Sequence, residues 1–335
     1  MRMLKILAAG MTVALAGCGE QSEKDALRAE TGESAAALQP PSQLLRETLR
    51  DARAYAAFGD SIWKGYSASP FDVLLVENEQ ETLFCRNERV AGFEALEDDP
   101  ITGCSMQSRA RTFNPGLLAS FSAFGAAETI VIGTPETTGL DPLTWSLTLL
   151  HEHFHQHQAT MPDYIAGIGA LGLAGDDDTG MWMLNYPFPY DSPETEAAFA
   201  KYAAALEAAV EAVGSADAAA ARAAFLDARK GFRASVSETD WRYLEFQLWK
   251  EGVARWTEIA AAEGSGDPAF ADWAAYRRAG VSDQLRKAQE EGLKSWKRTI
   301  FYAVGASEAM LLEDQGEDWR TQYFAEPFAL GPLFE

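Results

Sequence analysis

All four histidines of the 335-residue chain lie in one short segment, Leu149–His157. Within this segment, His151, Glu152 and His155 form an H-E-x-x-H pattern. On an α-helix, His151 and His155 lie on the same face, about one turn apart. Two neutral imidazoles at this spacing can bind one zinc ion from the same side. Glu152, beside the first histidine, is placed to take a proton from a water molecule at the metal. The segment therefore predicts a helix that carries a zinc site and a general base.

The histidine spacing alone also fits a tract that binds metal loosely, since short His-rich stretches can do so. His153 and His157 are also four residues apart, but they leave a helix on the face opposite His151 and His155. Glu152 is the additional observation that favours a catalytic site over a loose tract.

The flanking residues predict that the motif helix is buried. Thr129–Gly133 is a short β-branched run, typical of a strand, and turn residues follow it. Asp141 can cap the next helix, with Pro142 at its first position. Apolar residues then cover most of the helix circumference over 143–158, which is typical of a buried helix. Buried histidines need partners, and a metal ion satisfies a pair at this spacing.

Residues 1–17 have the composition of a secretory signal peptide. Arg2 and Lys5 give a positive start, and the apolar stretch 6–16 is too short to span a bilayer. The adjoining L-A-G-C at 15–18 closely resembles the lipobox of bacterial lipoproteins. This resemblance implies cleavage before Cys18 and lipidation of Cys18, which would anchor the chain to a membrane without spanning it. Glycine rather than aspartate after Cys18 favours the outer membrane of the bacterial cell envelope, with the protein on the periplasmic face.

The rest of the chain divides by composition into a tether and a domain. Residues 18–41 are small and polar and end in two prolines, which predicts a flexible tether. Residues 42–335 are long enough for a single large domain.

The charge balance excludes one class of partner. The formal charge of −22 becomes −24 once residues 1–17 are removed, because they contain two basic residues and no acidic one. A chain this acidic lacks the basic face that phosphate binding requires, so we expect no nucleic acid partner.

Cys85 and Cys104 remain once Cys18 is assigned to the lipid. Outside the cytoplasm, a pair of cysteines 19 residues apart is expected to form a disulfide.

A catalytic zinc site needs three protein ligands and one open position. No histidine lies outside the motif helix, so the third ligand cannot be a distant histidine. Gln158 and Met161 stand where the extended metzincin pattern requires glycine and histidine, so metzincins are excluded. No glutamate occurs between Glu152 and Glu194, so gluzincins with closely spaced ligands, whose third ligand is a glutamate soon after the second histidine, are disfavoured. One remaining candidate is an aspartate of the acidic run Asp176–Asp178, which lies in a Gly-rich stretch.

The other candidate is in the segment K-E-G-V-A-R-W-T-E at 250–258, which resembles the E-G-x-A-x-(aromatic)-x-E segment of several bacterial zinc peptidase families with widely spaced ligands. The resemblance implies that Glu251 is the third zinc ligand, provided by a second helix. Gly252 and Ala254 would let two helices approach closely. Glu258 could orient a ligand imidazole. The alternative is an amphipathic helix whose charged face includes Glu251 and Glu258, with the buried stripe Trp249, Val253, Trp256 and Ile259.

The C-terminal segment, with Y-A-V-G at 302–305 and L-L-E-D at 311–314, is similar to the end of the same families. This similarity implies that Tyr302 is a catalytic residue that stabilises the developing oxyanion. A core tyrosine with a satisfied hydroxyl is the alternative.

Together these patterns predict a mainly helical α+β fold, a zincin-like metallopeptidase domain with a small β-sheet and an active-site helix. Strands are expected within 73–85 and at 129–132. Ala-rich helices at 194–213 and 216–232 would form a helical insertion (about 194–233) between the two halves of the site. Further helices are expected at 42–57, 239–262, 268–290 and 293–314.

The leading functional expectation is a membrane-anchored, extracytoplasmic zinc metallopeptidase that hydrolyses a peptide or protein substrate. One Zn²⁺ per chain would be held by His151, His155 and Glu251, with Glu152 as the general base. Two alternatives stay open. The first is a lipoprotein that binds or buffers metal through the His151–His157 tract. The second is an inactive interaction protein with a peptidase fold.

Overall fold

A computed structural model of the chain describes residues 38–125, 127–177, 180–316 and 318–335. The predicted signal peptide, the lipidation site Cys18 and nearly all of the predicted tether lie outside the described residues. In the part of the chain that is described, no helix is both long enough and apolar enough to cross a bilayer.

The strands of the described residues form one mixed sheet in the N-terminal half of the chain. They are β1 (Val73–Val76), β2 (Gln80–Phe84), β3 (Glu94–Ala95), β4 (Met106–Ala110), β5 (Leu118–Phe121) and β6 (Thr129–Gly133). Their order is β3-β4-β2-β1-β6-β5, and the β1–β6 pair is parallel while the other neighbours are antiparallel. The predicted strands within 73–85 and at 129–132 are therefore present and lie side by side at the centre of the sheet.

Most of the remaining chain is helical. The α-helices are α1 (Gln43–Tyr55), α2 (Pro135–Thr138), α3 (Pro142–Gln158), α4 (Tyr164–Ala170), α5 (Trp182–Asn185), α6 (Pro193–Glu211), α7 (Ala218–Ala234), α8 (Glu238–Gln247), α9 (Val253–Gly264), α10 (Pro268–Glu291), α11 (Leu293–Trp296), α12 (Ile300–Gln315) and α13 (Asp318–Ala325). Together with the small sheet, they confirm the predicted mainly helical α+β class. The helix expected at 293–314 is interrupted between α11 and α12, where Lys297 has a positive φ of 48° and a non-helical ψ of −137°.

The predicted disulfide is confirmed. Cys85 follows β2 and Cys104 precedes β4, so the bond joins two antiparallel neighbours of the sheet, with the Cα atoms 4.4 Å apart. Arg53 of α1 donates a hydrogen bond to the Cys104 sulfur at 3.1 Å, which connects the helix to this edge of the sheet.

Helix α3 lies between two of the hydrophobic cores of the described residues. Trp145 and Leu149 pack with residues of β1, β6 and α1, whereas Leu150 and Phe154 pack with the helical half. The Trp145 indole also donates a hydrogen bond to the Gly133 carbonyl at the end of β6, at 2.8 Å. Because both sides of α3 contact a core, its sequence is apolar around most of the circumference.

Gly252 and Gly305 lie against each other where the chain before α9 crosses α12. A Cβ atom on Gly252 would lie 2.3 Å from the Gly305 Cα, and one on Gly305 would lie 2.7 Å from the Gly252 Cα. We expected Gly252 to allow an approach to the motif helix. The structure instead places Gly252 against α12, which corrects the expected partner of this small residue.

Gly305→Ala should therefore destabilise the fold. Its methyl group would meet the Gly252 backbone and the Leu248 carbonyl oxygen, also 2.7 Å away, and backbone atoms cannot give way cheaply. We expect a loss of about 1–3 kcal/mol, measured as a lower midpoint of thermal unfolding. The matched control is Gly280→Ala within α10, where a Cβ atom meets nothing within 4 Å. This control should stabilise the helix by roughly 0.5–1 kcal/mol, and equal effects of the two changes would contradict the close contact.

Candidate metal centre

The motif helix begins where its sequence predicts. The Asp141 carboxylate accepts a hydrogen bond from the Thr144 N–H at 3.0 Å, and Pro142 is the first helical residue. Roughly two to four turns later, His151, Glu152 and His155 are 4%, 5% and 3% exposed. These polar groups are therefore held inside the protein, where each one needs a partner.

The structure brings His151, His155 and Glu251 together. The Nε2 atoms of His151 and His155 lie 3.5 Å and 3.4 Å from the same oxygen, Oε2 of Glu251. One ligand atom from each residue lies within 4.8 Å of the others, and within the described ranges no other group of three such residues converges in this way. This cluster could hold a metal ion. Its two imidazole nitrogens and one carboxylate oxygen are a donor set that suits zinc.

Glu251 lies in a π-helical turn, Leu248–Gly252, between α8 and α9. The Val253 N–H donates to the Leu248 carbonyl five residues back, so this turn holds one residue more than an α-helical turn. The hydrophobic periodicity predicted an uninterrupted helix at 239–262 and contained no sign of the widened turn.

Glu258 is placed behind His151. Its Oε2 atom lies 3.6 Å from His151 Nδ1, and both atoms are buried without a hydrogen-bond partner among the described residues. Arg255 and Arg277 both contact the other carboxylate oxygen, Oε1. A carboxylate in this position can orient the imidazole so that Nε2 faces Glu251.

The ionisation states suit metal binding. Burial lowers the pKa of His151 to about 3, so this imidazole is neutral at physiological pH. Burial alone would raise the pKa of Glu251, but contacts with His155 and His151 outweigh it and hold this pKa well below its usual range. A neutral imidazole and a carboxylate are the forms that bind a divalent metal.

Glu152 is buried beside the cluster. Burial raises its pKa to about 7, and the positive charge of the nearby Lys250 opposes part of that rise. Lys250 is itself buried, and its ammonium group donates to the Tyr164 hydroxyl at 3.3 Å. The carboxyl group can therefore take up and release a proton close to neutral pH. A bound dication would lower this pKa.

Tyr302 lies on α12 next to the cluster. Its ring stacks near that of His151, with centroids 5.9 Å apart. Its hydroxyl accepts a hydrogen bond from Arg298 Nη1 at 3.1 Å, and the same Arg298 atom lies 3.9 Å from Oε1 of Glu251. Burial and the Glu251 charge both raise the pKa of Tyr302, so the phenol keeps its proton. Tyr302 and Arg298 thus form a pair of hydrogen-bond donors beside the cluster.

His153 and His157 have other contacts. Tyr66 O and Gln156 Oε1 each lie 2.9 Å from a ring nitrogen of His153, and Ser69 Oγ lies 2.8 Å from His157 Nδ1. Both histidines are buried, at 0% and 7% exposure. They lie away from the cluster, as the helix geometry predicts.

The acidic run at 176–178 does not join the cluster in the described part of the chain. Asp176 is exposed, and Asp177 accepts a hydrogen bond from the Trp182 N–H. Asp178 lies outside the described residues.

Several residues of the site were not identified from the sequence: Tyr164, Gln158, Lys250, Arg298 and Tyr323. Gln158 and Lys250 are neighbours of predicted ligands, but no local pattern marks their contacts.

No family model, curated protein or solved structure matches the chain. The function must therefore be inferred from the site itself.

Purified protein should bind about one zinc ion per chain, and Glu251→Ala should remove or severely weaken that binding. The expected cause is the loss of the carboxylate that faces both Nε2 atoms. The measurement is metal content after dialysis, together with a competition titration. Asp177→Ala is the control and should keep its zinc. Loss of zinc in the Asp177 variant and not in the Glu251 variant would mean that the third ligand is wrongly assigned.

Proposed function

We propose that this chain is a zinc-dependent metallopeptidase with a zincin-like catalytic domain. The observation that supports this most directly is the convergence of the buried His151 and His155 Nε2 atoms on Glu251, with the Glu152 carboxyl group beside them. Two imidazoles and one carboxylate are the ligand set of a known class of catalytic zinc sites, which leaves a fourth position for water and substrate. A structural zinc site would instead be closed by four protein ligands.

A zinc ion held by these residues would polarise the scissile carbonyl and lower the pKa of water to about 7. Glu152 is the general base in this proposal: it accepts a proton from the attacking water and passes it to the leaving amine. Glu152 is buried, at 5% exposure.

Tyr302 is proposed to stabilise the oxyanion that develops on the carbonyl oxygen. Its phenol keeps its proton and can donate a hydrogen bond to the oxyanion. The hydroxyl oxygen meanwhile accepts a hydrogen bond from Arg298. The Arg298 guanidinium also brings a positive charge to this side of the cluster, since it lies 3.9 Å from Glu251. A positive charge there would favour the negative charge of the oxyanion.

The metal-buffering alternative needs several histidines that exchange metal with solvent. All four histidines are instead at most 7% exposed, and His153 and His157 are engaged with Tyr66 and Ser69. An inactive interaction protein would not need an acid at position 152, since the ligands alone would hold a structural metal. Both observations favour the peptidase.

We further propose that the protein acts outside the cytoplasm, anchored through a lipidated Cys18 on the periplasmic face of the bacterial outer membrane. The disulfide between Cys85 and Cys104 is consistent with an oxidising compartment. The substrate in this proposal is a peptide or protein, and a nucleic acid partner is disfavoured by the charge of −22.

Glu152→Gln should abolish peptide hydrolysis and leave zinc content unchanged. The amide keeps the shape of the side chain but cannot accept a proton, so we expect a loss of roughly 10²–10⁴-fold in kcat. Cleavage of a peptide library with and without a chelator measures the activity. An exposed change, Glu136→Gln, should leave it intact. Full activity in the Glu152 variant would refute the mechanism, and a wild-type chain that binds zinc without cleaving any peptide would favour the interaction protein.

Tyr302→Phe should lower kcat by about 10²–10³-fold while zinc remains bound, because one donor to the oxyanion is lost. Steady-state kinetics on a cleaved peptide test this, with Tyr276→Phe, at a 75% exposed tyrosine of α10, as the control. An unchanged kcat would leave Tyr302 as a packing residue.

A further inference from the structure

Gln158, the last residue of the motif helix, is fully buried and uses both ends of its amide. Its Oε1 atom lies 2.8 Å from His155 Nδ1. Its Nε2 atom lies 3.3 Å from the Trp249 carbonyl oxygen, 3.2 Å from that of Lys250 and 2.6 Å from the Tyr323 hydroxyl. One side chain therefore connects a histidine of the metal cluster to the π-helical turn that contains Glu251.

These partners determine the orientation of the amide. The two backbone carbonyls can only accept, so the NH₂ group must face them and the amide oxygen must face His155. His155 Nδ1 must then carry a proton and donate it to Gln158 Oε1. In a neutral imidazole this leaves the lone pair on Nε2, the atom that lies 3.4 Å from Glu251.

Tyr323 completes the same network. Its hydroxyl donates to the Trp249 carbonyl at 2.7 Å and accepts from Gln158 Nε2. The Trp249 and Lys250 carbonyls belong to the turn Leu248–Gly252, and both accept from side chains outside it. The position of Glu251, the next residue, depends on how this turn is held.

We propose that Gln158 is a positioning residue that ties His155 to the π-helical turn and so sets the distance between His155 Nε2 and the Glu251 carboxylate. This inference rests on the proposed zinc site. It assigns two effects to one side chain, the choice of the His155 tautomer and the placement of the third ligand. Loss of Gln158 should therefore disturb two of the three ligands at once.

The helix contains its own matched control in Gln156. Its Oε1 atom lies 2.9 Å from His153 Nδ1, and its Nε2 atom donates to the Asp72 and Glu128 carbonyls at 2.9 Å and 3.3 Å. Gln156 is also buried, at 2% exposure. It makes the same kind of histidine–glutamine–backbone connection as Gln158, but from the face of the helix that lies away from the metal cluster.

The test compares Gln158→Met with Gln156→Met in the full chain, since methionine keeps the length of the side chain and removes its hydrogen bonds. Three measurements are needed: the zinc dissociation constant by competition with a chromophoric chelator, the visible absorption spectrum of the Co²⁺-loaded protein, and thermal unfolding without metal. We expect Gln158→Met to weaken zinc binding by about 10–100-fold and to change the Co²⁺ spectrum. Gln156→Met should leave both unchanged, even if it lowers the unfolding midpoint by a similar amount.

An unchanged zinc affinity in Gln158→Met, or an equal loss in both variants, would overturn the proposal. If Gln158→Met does not fold, Tyr323→Phe removes a single oxygen from the same network. That variant should weaken zinc binding in the same direction, and an unchanged dissociation constant would again overturn the proposal. A wild-type chain that binds no zinc would refute the metal site itself. Intact hydrolysis by the wild type, with no effect of Gln158→Met on affinity, would refute only the positioning role.

Discussion

Burial of helix α3 between two hydrophobic cores is the constraint on which the rest of the site depends. Polar groups inside a protein are costly unless they are paired, and this helix places four histidines, a glutamate and two glutamines there. The surrounding structure supplies a partner for each face. The sheet side supplies the backbone carbonyls of Asp72 and Glu128 to Gln156, and the helical side supplies Glu251, Glu258 and the carbonyls of the π-helical turn.

Three segments of the chain meet on the side of α3 that faces the helical half. Helix α3 contributes the two imidazoles, the turn Leu248–Gly252 contributes Glu251, and α12 contributes Tyr302. The contact between Gly252 and Gly305 brings the second and third segments together, and Gln158 joins the first and second. The residues around the cluster are thus held by three different segments, and His151, Glu152 and His155 share α3. All three segments are helical, and helices hold side chains more precisely than loops do.

Local signals in the sequence predicted the parts of this arrangement that depend on neighbours along the chain. Spacing predicted the shared face of His151 and His155, and Asp141 marked the helix start. Alternation within 73–85 predicted strands there, and a β-branched run predicted β6. A resemblance of one short segment indicated Glu251. The structure brings Glu251 to the two histidines.

The parts that were not predicted depend on contacts between residues far apart in the chain. Gly252 and Gly305 are adjacent only because two helices cross there, and Gln158 meets Tyr323 across 165 positions. The strands β3, β4 and β5 are short and lack regular alternation, so their pairing within the sheet identifies them and their own sequence does not. The extra residue of the π-helical turn leaves the buried stripe from Trp249 to Ile259 looking like that of a regular helix.

The turn at Leu248–Gly252 also affects how such a site can arise or disappear. One additional residue in a regular helix would rotate everything after it by about 100°, but a widened turn absorbs that residue locally. Deleting a single codon within this turn would therefore leave α8 and α9 facing the same neighbours while it withdraws Glu251 from the two histidines. One insertion or deletion could thus add or remove the proposed third ligand without a rearrangement of either core.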